Sequence, residues 1–492
     1  MTTIIVTSDP RDWPFEIPGV DHVDAWNYLT SPDIAAANRS TRVFNLCRSY
    51  RYQSTGYYVS LLAEARGHKP LPAVTTLQDL KTRAIIRLAS DDLEKQIQNS
   101  LAPLHSDEFT LSIYFGRNMA QRYERLALSL FNQFPSPLLR VDFQKRDDVW
   151  TVRRVKAISG ADVPDSHRAF VTEAATKYFA GRGSGSRSKK RARFDLAILH
   201  NPAEKQNAPS DDVALNKFIK AAADQDINAE LITKEDAGRL LEYDALFIRE
   251  TTAVDHHTYR FARRAAGEGM VVIDDPLSIS RCTNKVYLAE LLGRNKVEIP
   301  RTIIVHRENI QSIGTELGFP CVLKKPDSSF SQGVVKVKSQ EDLESRLEEF
   351  FADSELLVAQ EFMPTAFDWR IGVLDRRPLF ACRYFMAPGH WQIIQQEKDG
   401  KGRYGKTETL PIEMAPAKAV KLAVKAANLI GDSLYGVDVK ELENGTFTII
   451  EVNDNPNINA GFEDALLKDE LYRRVIDVFV RRIEAAKARN HD

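Results

Sequence analysis

Two carboxylates and one amide near the C-terminal end have the types and spacing of a metal site. Asn444-Gly445 separates two alternating apolar runs and predicts a hairpin with a two-residue type I′ turn. That turn places Asp438 directly across from Glu451, with Asn453 on the same face. Opposed carboxylates repel each other, whereas Mg²⁺ takes oxygen ligands and is commonly shared with substrate phosphates. The spacing therefore predicts a magnesium site, and solvated carboxylates on an exposed hairpin are the alternative. The opposite face is expected to carry Val437, Val439, Ile450 and Val452.

A strand followed by a small polar loop predicts an anion-binding element. Cys321 to Lys324 has the pattern of a strand, and residues 327–333 form the loop before a second strand. Small residues let backbone amides approach a phosphate, and Lys324 can reach the same anion. Residues 356–364 predict a buried strand that ends at Gln360-Glu361 and could offer backbone groups to an adenine edge. Neither pattern is specific when taken alone.

Two other patterns predict no site. Residues 400–407, GKGRYGKT, match the P-loop spacing, but no buried strand precedes them, and Pro411 and Pro416 prevent a long helix after them. We therefore expect a Gly/Lys loop. His256-His257 has no third ligand nearby in the sequence, and a solvated pair is expected.

The elements that must position these groups fall into successive regions. Residues 1–180 mix strands and helices and predict an α+β domain. Residues 181–193 are rich in Gly, Ser and basic residues, which predicts a flexible linker, with a nucleic-acid-binding arm as the alternative. Residues 194–283 alternate strands and helices and predict a small parallel α/β domain. Residues 284–490 combine hairpin signals with helices in a final domain.

Composition excludes several classes of protein. The chain has 492 residues, with 67 Lys plus Arg against 68 Asp plus Glu, which argues against a generally basic nucleic-acid coat protein. It contains no apolar run long enough to span a membrane, and its first residues lack the pattern of a signal peptide. Four scattered cysteines fit neither a zinc motif nor a disulfide framework, so we expect a cytoplasmic protein.

Taken together, these motifs resemble the ATP-grasp superfamily, in particular its RimK-like glutamate-ligase branch. The resemblance covers about residues 195–480 and rests on EVNDNP with the upstream VDV, and on VLKKPDSSFSQGV. It implies a pre-ATP-grasp domain at 194–283 and an ATP-grasp fold at 284–490. Residues 1–180 look like the extra N-terminal domain that is fused to some RimK-like proteins.

The resemblance also assigns roles to residues. It implies that Lys285 and Lys324 hold ATP phosphates beneath the loop that carries Ser329, Gln332 and Gly333. The remaining assignments are Gln360, Glu361, Phe362 and Met363 for adenine, Asp368 for ribose, Asp438, Glu451 and Asn453 for Mg²⁺ or Mn²⁺, and Arg370 and Arg383 for phosphate or a substrate carboxylate. The loop has only one glycine, which departs from the usual glycine-rich pattern.

The implied activity is ATP-dependent, ADP-forming ligation of a carboxylate to an amine through an acylphosphate. The implied partners are ATP and an amino acid, a peptide or a protein tail, and a homo-oligomer is left open. Two alternatives remain, namely an ATP-binding regulator or scaffold without ligase chemistry, and a nucleic-acid-associated protein that uses the basic linker. Membrane and nucleic-acid partners are not expected.

Overall fold

The computed structural model describes residues 3–35, 41–180, 192–204, 208–327, 333–352, 354–396 and 402–489. The chain divides into two compact units. Unit 1 comprises Met1–Asp195, Asp226–Asn228 and Glu235–Tyr243, and unit 2 comprises Leu196–Gln225, Ala229–Lys234 and Asp244–Asp492. Most of the predicted linker 181–193 lies outside the described residues. No described helix is both long and apolar enough to cross a membrane.

Unit 1 contains one parallel and one antiparallel sheet, in agreement with the predicted α+β region. Its strands are β1 (Thr3–Thr7), β2 (Val20–Asp24), β3 (Arg42–Asn45), β4 (Lys69–Leu71), β5 (Glu108–Tyr114), β6 (Leu138–Arg146) and β7 (Val149–Ala157). The parallel sheet has the order β2-β1-β3-β4, and the antiparallel sheet has the order β5-β6-β7. Its helices are α1 (Ala25–Thr30), α2 (Pro32–Ala35), α3 (Thr55–Ala65), α4 (Val74–Asp79), α5 (Arg83–Asp92), α6 (Glu94–Leu101), α7 (Glu124–Gln133) and α8 (Arg168–Ala180).

Residues 194–294 carry a four-stranded sheet and its helices, as the strand–helix alternation predicts, and two of its strand pairs are parallel. Its elements are β8 (Phe194–Leu199), α9 (Asp212–Ala223), β9 (Ile227–Ile232), β10 (Ala245–Ile248), α10 (His257–Gly267), β11 (Val271–Ile273), α11 (Pro276–Thr283) and α12 (Lys285–Arg294). The strand order is β11-β10-β8-β9. Asp275 caps α11 by accepting from the backbone of Leu277 and Ser278, and Pro276 is the first helical residue. Strand β11 therefore ends before this cap, at Ile273.

A second, antiparallel sheet carries the predicted phosphate loop. Its elements are β12 (Thr302–Val305), α13 (Ser312–Leu317), β13 (Cys321–Lys324), β14 (Val334–Val337), α14 (Gln340–Phe350) and β15 (Leu357–Glu361). The strand order is β12-β15-β13-β14. Helices α13 and α14 pack on this sheet through Ile313, Leu317, Leu343 and Leu347. Lys324 and Glu361 therefore lie at strand ends that are fixed by a common core.

A five-stranded antiparallel sheet carries the predicted metal ligands. The last elements of the chain are β16 (Phe367–Leu374), β17 (Arg377–Phe385), β18 (Ile394–Gln396), β19 (Gly402–Tyr404), β20 (Thr407–Leu410), α15 (Ala417–Ile430), β21 (Leu434–Glu441), β22 (Phe447–Asp454) and α16 (Asp469–Arg489). The strand order of the large sheet is β20-β17-β16-β21-β22, and β18 pairs with β19. Helix α15 buries alanines at helical spacing, Ala419, Ala423, Ala426 and Ala427, against Val437, Val439 and Val452. One face of the sheet is therefore core, and the other is left for polar groups.

The β21–β22 hairpin confirms one predicted pair but has a different turn. Asp438 pairs with Glu451, as predicted. However, Leu442 N–H donates to the Thr446 carbonyl at 2.9 Å, which closes a three-residue loop in which Gly445 has φ +76°. The predicted two-residue turn is therefore wrong.

A bulge in β22 restores the predicted pairing. Val439 pairs with Ile449, whereas Asp438 pairs with Glu451, so Ile450 has no partner of its own on β21. Ile449 consequently takes the core position that was predicted for Ile450 and is 1 % exposed.

Candidate active site

One face of the five-stranded sheet carries a row of charged side chains. Alternate residues share a face of a strand, so Asp368 and Arg370 of β16 lie side by side. The register pairs Arg370 with Asp438, and Asp438 with Glu451. Asn453 lies on the same face, two residues after Glu451 on β22, and its Nδ2 is 3.2 Å from Asp438 Oδ2. The strands therefore bring the three predicted metal ligands together.

Asp438 is buried and held by a cation. Arg370 donates from Nε to Oδ1 at 2.6 Å and from Nη2 to Oδ2 at 3.1 Å. Burial raises the pKa of Asp438 to about 6, although Arg370 opposes this shift, and the nearby Glu451 adds to it. The carboxylate charge is therefore only partly compensated by the side chains around it.

Two buried lysines lie beside these carboxylates. Lys285, the first residue of α12, places Nζ 3.1 Å from Glu451 Oε1. Lys324, the last residue of β13, lines the same cavity as Lys285 and Glu451. Burial lowers the pKa of Lys324 to about 8. Burial would raise the pKa of Glu451, but Lys285 and Lys324 outweigh this effect, and its pKa is lowered. The pocket therefore holds opposite charges that are largely shielded from solvent.

The remaining walls of this cavity are mostly apolar. Gln360 is the fourth polar residue, and its side-chain amide donates to Thr302 Oγ1 at 3.1 Å. The apolar lining consists of Leu288, Ala289, Leu292, Ile299, Val358, Ile449 and Ile450. A pocket with apolar walls and a few convergent polar groups is typical of small-molecule sites.

The segment predicted to meet adenine follows directly after β15. The Glu361 N–H donates to the Arg301 carbonyl at 2.9 Å, and its carboxylate pairs with Arg301 Nε at 2.9 Å. The Glu361 N–H is therefore not available to an adenine edge, which could contact only other groups of this segment. The ring of Phe362 lies 5.7 Å from that of Trp391, and Lys336 Nζ lies 4.3 Å from the Phe362 ring centre. Trp391 and Lys336 were not predicted from the sequence, because they come from distant elements, whereas Phe362 was.

The loop predicted to cover phosphates is described only at its two ends. Ser329 and Gln332 lie outside the described residues. Asp327 Oδ1 accepts from Asn284 Nδ2 at 3.0 Å, next to Lys285. Gly333 has φ +67°, and its carbonyl accepts from the Lys325 N–H at 2.8 Å. The loop thus starts and ends beside the two lysines of the cavity.

Asp368, the predicted ribose ligand, already has two partners. Lys440 Nζ and Thr365 Oγ1 lie 2.6 Å and 2.9 Å from its Oδ1. Lys440 was not predicted, although it lies two residues after Asp438 and therefore shares its face. Tyr384 was also not predicted. It lies across from Asp368 and donates to the buried Glu463.

Arg383 does not lie with the other predicted site residues, which corrects its assignment. It pairs with Trp369 and not with Arg370, so it lies on the opposite face of the sheet. Its guanidinium lies 4.9 Å from the Trp369 ring centre, and its Nη1 lies 3.7 Å from Glu408 Oε2. A bulge in β17 causes this placement, because Val373 pairs with Pro378 whereas Gly372 pairs with Phe380.

The P-loop match does not form a P-loop in the residues that the structure describes. Gly400 and Lys401 lie outside them. Lys406 precedes β20, and its carbonyl accepts from the Phe385 N–H at 2.9 Å. Because Lys406 and Thr407 lead into a strand and not into a helix N-terminus, the rejection of this motif is confirmed.

Comparison with known proteins gives two family matches. Residues 25–174 match the RimK-like ATPgrasp N-terminal domain, and residues 282–469 match the RimK-like ATP-grasp domain. A "Probable alpha-L-glutamate ligase" of Vibrio vulnificus (strain YJ016) is 28% identical over 236 residues, which cover 47% of this chain and 74% of that protein. A protein of the same name from Marinomonas sp. (strain MWYL1) is 28% identical over 254 residues, which cover 51% of this chain and 79% of that protein. The resemblance drawn from the motifs is therefore confirmed.

Comparison with solved structures gives matches to two bacterial proteins, among others. The RimK domain protein ATP-grasp from Sphaerobacter thermophilus DSM 20745 aligns with a TM-score of 0.44 and 18% identity, over 57% of this chain and 98% of that one. The D-alanine--D-alanine ligase from Bacillus anthracis complexed with ATP aligns with a TM-score of 0.47 and 17% identity, over 61% of this chain and 100% of that one.

Proposed function

We propose that this chain, a member of the RimK-like ATP-grasp family and an ATP-dependent ligase that forms amide bonds, joins a carboxylate to the amine of an amino acid or a peptide. The observation that carries the proposal is that Glu451 lines one cavity with two buried lysines, Lys285 and Lys324, while Asp438 and Asn453 lie next to Glu451 on the same face of the sheet. A nucleoside triphosphate and its metal ion require cationic side chains for the phosphates and oxygen ligands for the metal.

The ligand set fits Mg²⁺. Asp438, Glu451 and Asn453 offer oxygen atoms only, and the two carboxylates carry the charge that a hard divalent cation neutralises. The raised pKa of Asp438, which results mainly from burial, agrees with a carboxylate that is short of positive charge. These three residues would hold the metal, which supplies charge neutralisation on the phosphates. Mn²⁺ accepts the same kind of ligands.

A carboxylate does not react directly with an amine, because its oxygen is a poor leaving group. It must therefore first be activated. A substrate carboxylate oxygen attacks the γ-phosphorus of ATP, the bond from that phosphorus to the β,γ-bridging oxygen breaks, and ADP departs. The product of this step is an acylphosphate. The amine then attacks the acyl carbon, phosphate leaves, and the nitrogen loses a proton. Lys285 and Lys324 would stabilise charge on the phosphates, and Arg370 would orient Asp438.

The nucleotide would lie along the cavity. We propose that Gln360 and the backbone of Phe362 and Met363 contact adenine, and that Asp368 shares its carboxylate between Lys440 and a ribose hydroxyl. Gly333 and its loop, with Ser329 and Gln332, would cover the phosphates. The contact of Glu361 with adenine would be limited to its carbonyl group, because Arg301 accepts from its N–H.

The substrates are proposed from the relatives. Two of them are named probable alpha-L-glutamate ligases, so glutamate is the first substrate to test, as carboxylate or as amine. Peptides and protein tails are the next acceptors to test. The cytoplasmic location and the domain boundaries at 180, 193 and 283 stay predictions.

The decisive experiment measures ADP release by the full chain with Mg²⁺-ATP and pairs of amino acids, with mass spectrometry of the products. An amide product that forms together with ADP supports the proposal. Asp438→Asn should abolish both signals, whereas Glu408→Gln changes a carboxylate on the other face of the same sheet and should retain both. ATP binding without product on any amino acid or peptide would favour a regulatory protein instead.

A further inference from the structure

A second group of potential ligands lies outside the proposed nucleotide site. Glu250 follows β10, and His256 and His257 lie at the start of α10. One ligand atom of each side chain lies within 4.8 Å of those of the other two. His257 Nε2 is 2.8 Å from Glu250 Oε1, and the two imidazole rings are 3.9 Å apart between their centres. The fold thus supplies the third ligand that the sequence around the two histidines lacks.

Glu250 has an oxygen that the described protein groups leave without a donor. The residue is 1 % exposed, and among the described residues none donates a hydrogen bond to Oε2. Burying a carboxylate oxygen without a partner is costly, and such groups in native proteins are normally satisfied by a donor, a water molecule or an ion. This oxygen is therefore available to a ligand beside the two histidines.

The charges around this cluster are mainly negative. Burial raises the pKa of Glu204, and the neighbouring Glu250 raises it further. Asp255 adds a carboxylate beside His256, and Arg260 is the cation near the same imidazole. A divalent cation at the cluster would offset these negative charges.

The imidazoles are suited to bind a metal. His256 Nδ1 lies 3.1 Å from Thr258 Oγ1, which leaves Nε2 as the metal-binding nitrogen. A hydrogen bond at the second nitrogen is the usual arrangement of metal-binding histidines.

We propose that Glu250, His256 and His257 bind one divalent cation of borderline softness, with Zn²⁺ as the representative ion. Two imidazoles and one carboxylate are a ligand set of zinc sites that keep a fourth position open. Ligands at about 2.0–2.1 Å from zinc lie about 3.3 Å apart in a tetrahedron, so small side-chain shifts are sufficient. Nitrogen ligands separate this site from the all-oxygen site proposed at Asp438.

The test measures metal binding and not turnover, so its outcome is independent of the ligase proposal. The full chain is stripped of metal and titrated with Zn²⁺ by calorimetry in excess Mg²⁺, and Co²⁺ absorption reports the coordination. We expect one Zn²⁺ per chain and a tetrahedral Co²⁺ spectrum. His257→Ala and Glu250→Gln should each weaken Zn²⁺ binding by at least about tenfold. His306→Ala removes an exposed imidazole elsewhere in unit 2 and should change neither measurement.

Three outcomes would overturn the proposal. One is a wild-type chain that binds no Zn²⁺, in which case the cluster is only an ion pair between Glu250 and His257. Another is unchanged binding in folded His257→Ala and Glu250→Gln chains, with circular dichroism as the check of folding. A third is loss of the Zn²⁺ signal in Asp438→Asn, which would assign the ion to the other site. Since Glu250→Gln preserves volume, it keeps the test valid if His257→Ala does not fold.

Discussion

Arg370 holds both oxygens of Asp438, with Nε 2.6 Å from Oδ1 and Nη2 3.1 Å from Oδ2. This two-point contact fixes the plane of a carboxylate that the proposed Mg²⁺ would share. The same sheet carries Arg383 on its other face, where it lies against Trp369 and Glu408. The two arginines therefore make a matched pair for testing which face carries the chemistry.

Replacing Arg370 by Lys should raise the Mg²⁺ concentration needed for half-maximal ADP release by about 10- to 100-fold, because a lysine cannot reproduce the planar fork. Arg383→Lys should change it by less than about twofold. The measurement is ADP release against Mg²⁺ at saturating ATP. An equal loss in both variants would mean that the effect is general destabilisation, and a loss in Arg383→Lys alone would return the site to the other face.

Asp438→Ala and Glu451→Ala should each abolish ATP turnover and weaken Mg²⁺-ATP binding. Each removes an oxygen ligand and one buried ion pair, that of Asp438 with Arg370 or that of Glu451 with Lys285. Calorimetry with Mg²⁺-ATP and the ADP assay measure the two effects separately. Turnover close to wild type in both variants would contradict the assignment of this site.

Lys324→Ala should cause a severe loss of ADP-forming activity, whereas Lys406→Ala should reduce this activity by less than about threefold. Lys324 is buried beside Glu451, whereas Lys406 only precedes an edge strand of the sheet. The ATP dependence of ADP release distinguishes them. The opposite ranking would mean that the phosphates bind at the P-loop match after all.

The ammonium of Lys324 also predicts a pH effect. Burial lowers its pKa to about 8, so the charge is present below that pH and is lost in the nucleotide-free protein as the pH rises. Above about pH 8, ATP affinity should fall on the order of tenfold per pH unit, because binding must restore the proton. Calorimetry between pH 7 and 9.5 measures this slope. A folded Lys324→Arg chain should lose this pH dependence of ATP affinity. If the slope is the same in that chain, another group causes the pH dependence.

The sequence predicted that Asp438 and Glu451 pair across the hairpin, but it did not predict the irregularities of the strands that bring them together. The pairing of Asp438 with Glu451 came from an assumed two-residue turn, but the loop is one residue longer, and the bulge at Ile450 compensates for it. In the β16–β17 hairpin, no second irregularity offsets the bulge. Asp375 and Arg376 form its turn, with φ of +47° and +65°, and an unbulged register would pair Arg383 with Asp368. Bulges depend on tertiary packing, so local turn signals do not reveal them.

Because of the bulge, we expect substitutions of two adjacent isoleucines to differ in their effects. Ile449 is packed in the core with Val437 and Val439, so Ile449→Ala should lower the free energy of unfolding by about 2–5 kcal/mol. Ile450 is only partly buried, so Ile450→Ala should cost less stability. Since both side chains line the cavity, both substitutions should weaken ATP binding. Denaturant unfolding and ATP calorimetry on both variants decide. A larger stability loss for Ile450→Ala would favour the unbulged hairpin.

The last prediction concerns residues 1–180, for which we expect control of the acceptor but no share in the nucleotide site. Every described group of that site lies in unit 2. A chain that starts at residue 192 should therefore bind Mg²⁺-ATP with an affinity within about threefold of the full chain, but its amide-forming specificity should be lost or broadened.

That shortened chain should also be less stable, because unit 1 includes Glu235–Tyr243. This segment accepts hydrogen bonds from Tyr178 Oη to Glu242 Oε1 at 2.5 Å and from Asn132 Nδ2 to the Glu235 carbonyl at 3.0 Å. Removing these donors leaves Glu242, which is 3 % exposed in the full chain, without Tyr178. Thermal unfolding should therefore shift to a lower temperature, and Tyr178→Phe in the full chain should reproduce a small part of the shift. Loss of ATP binding by a folded shortened chain would mean that residues 1–191 complete the nucleotide site, and unchanged products would mean that they do not select the acceptor.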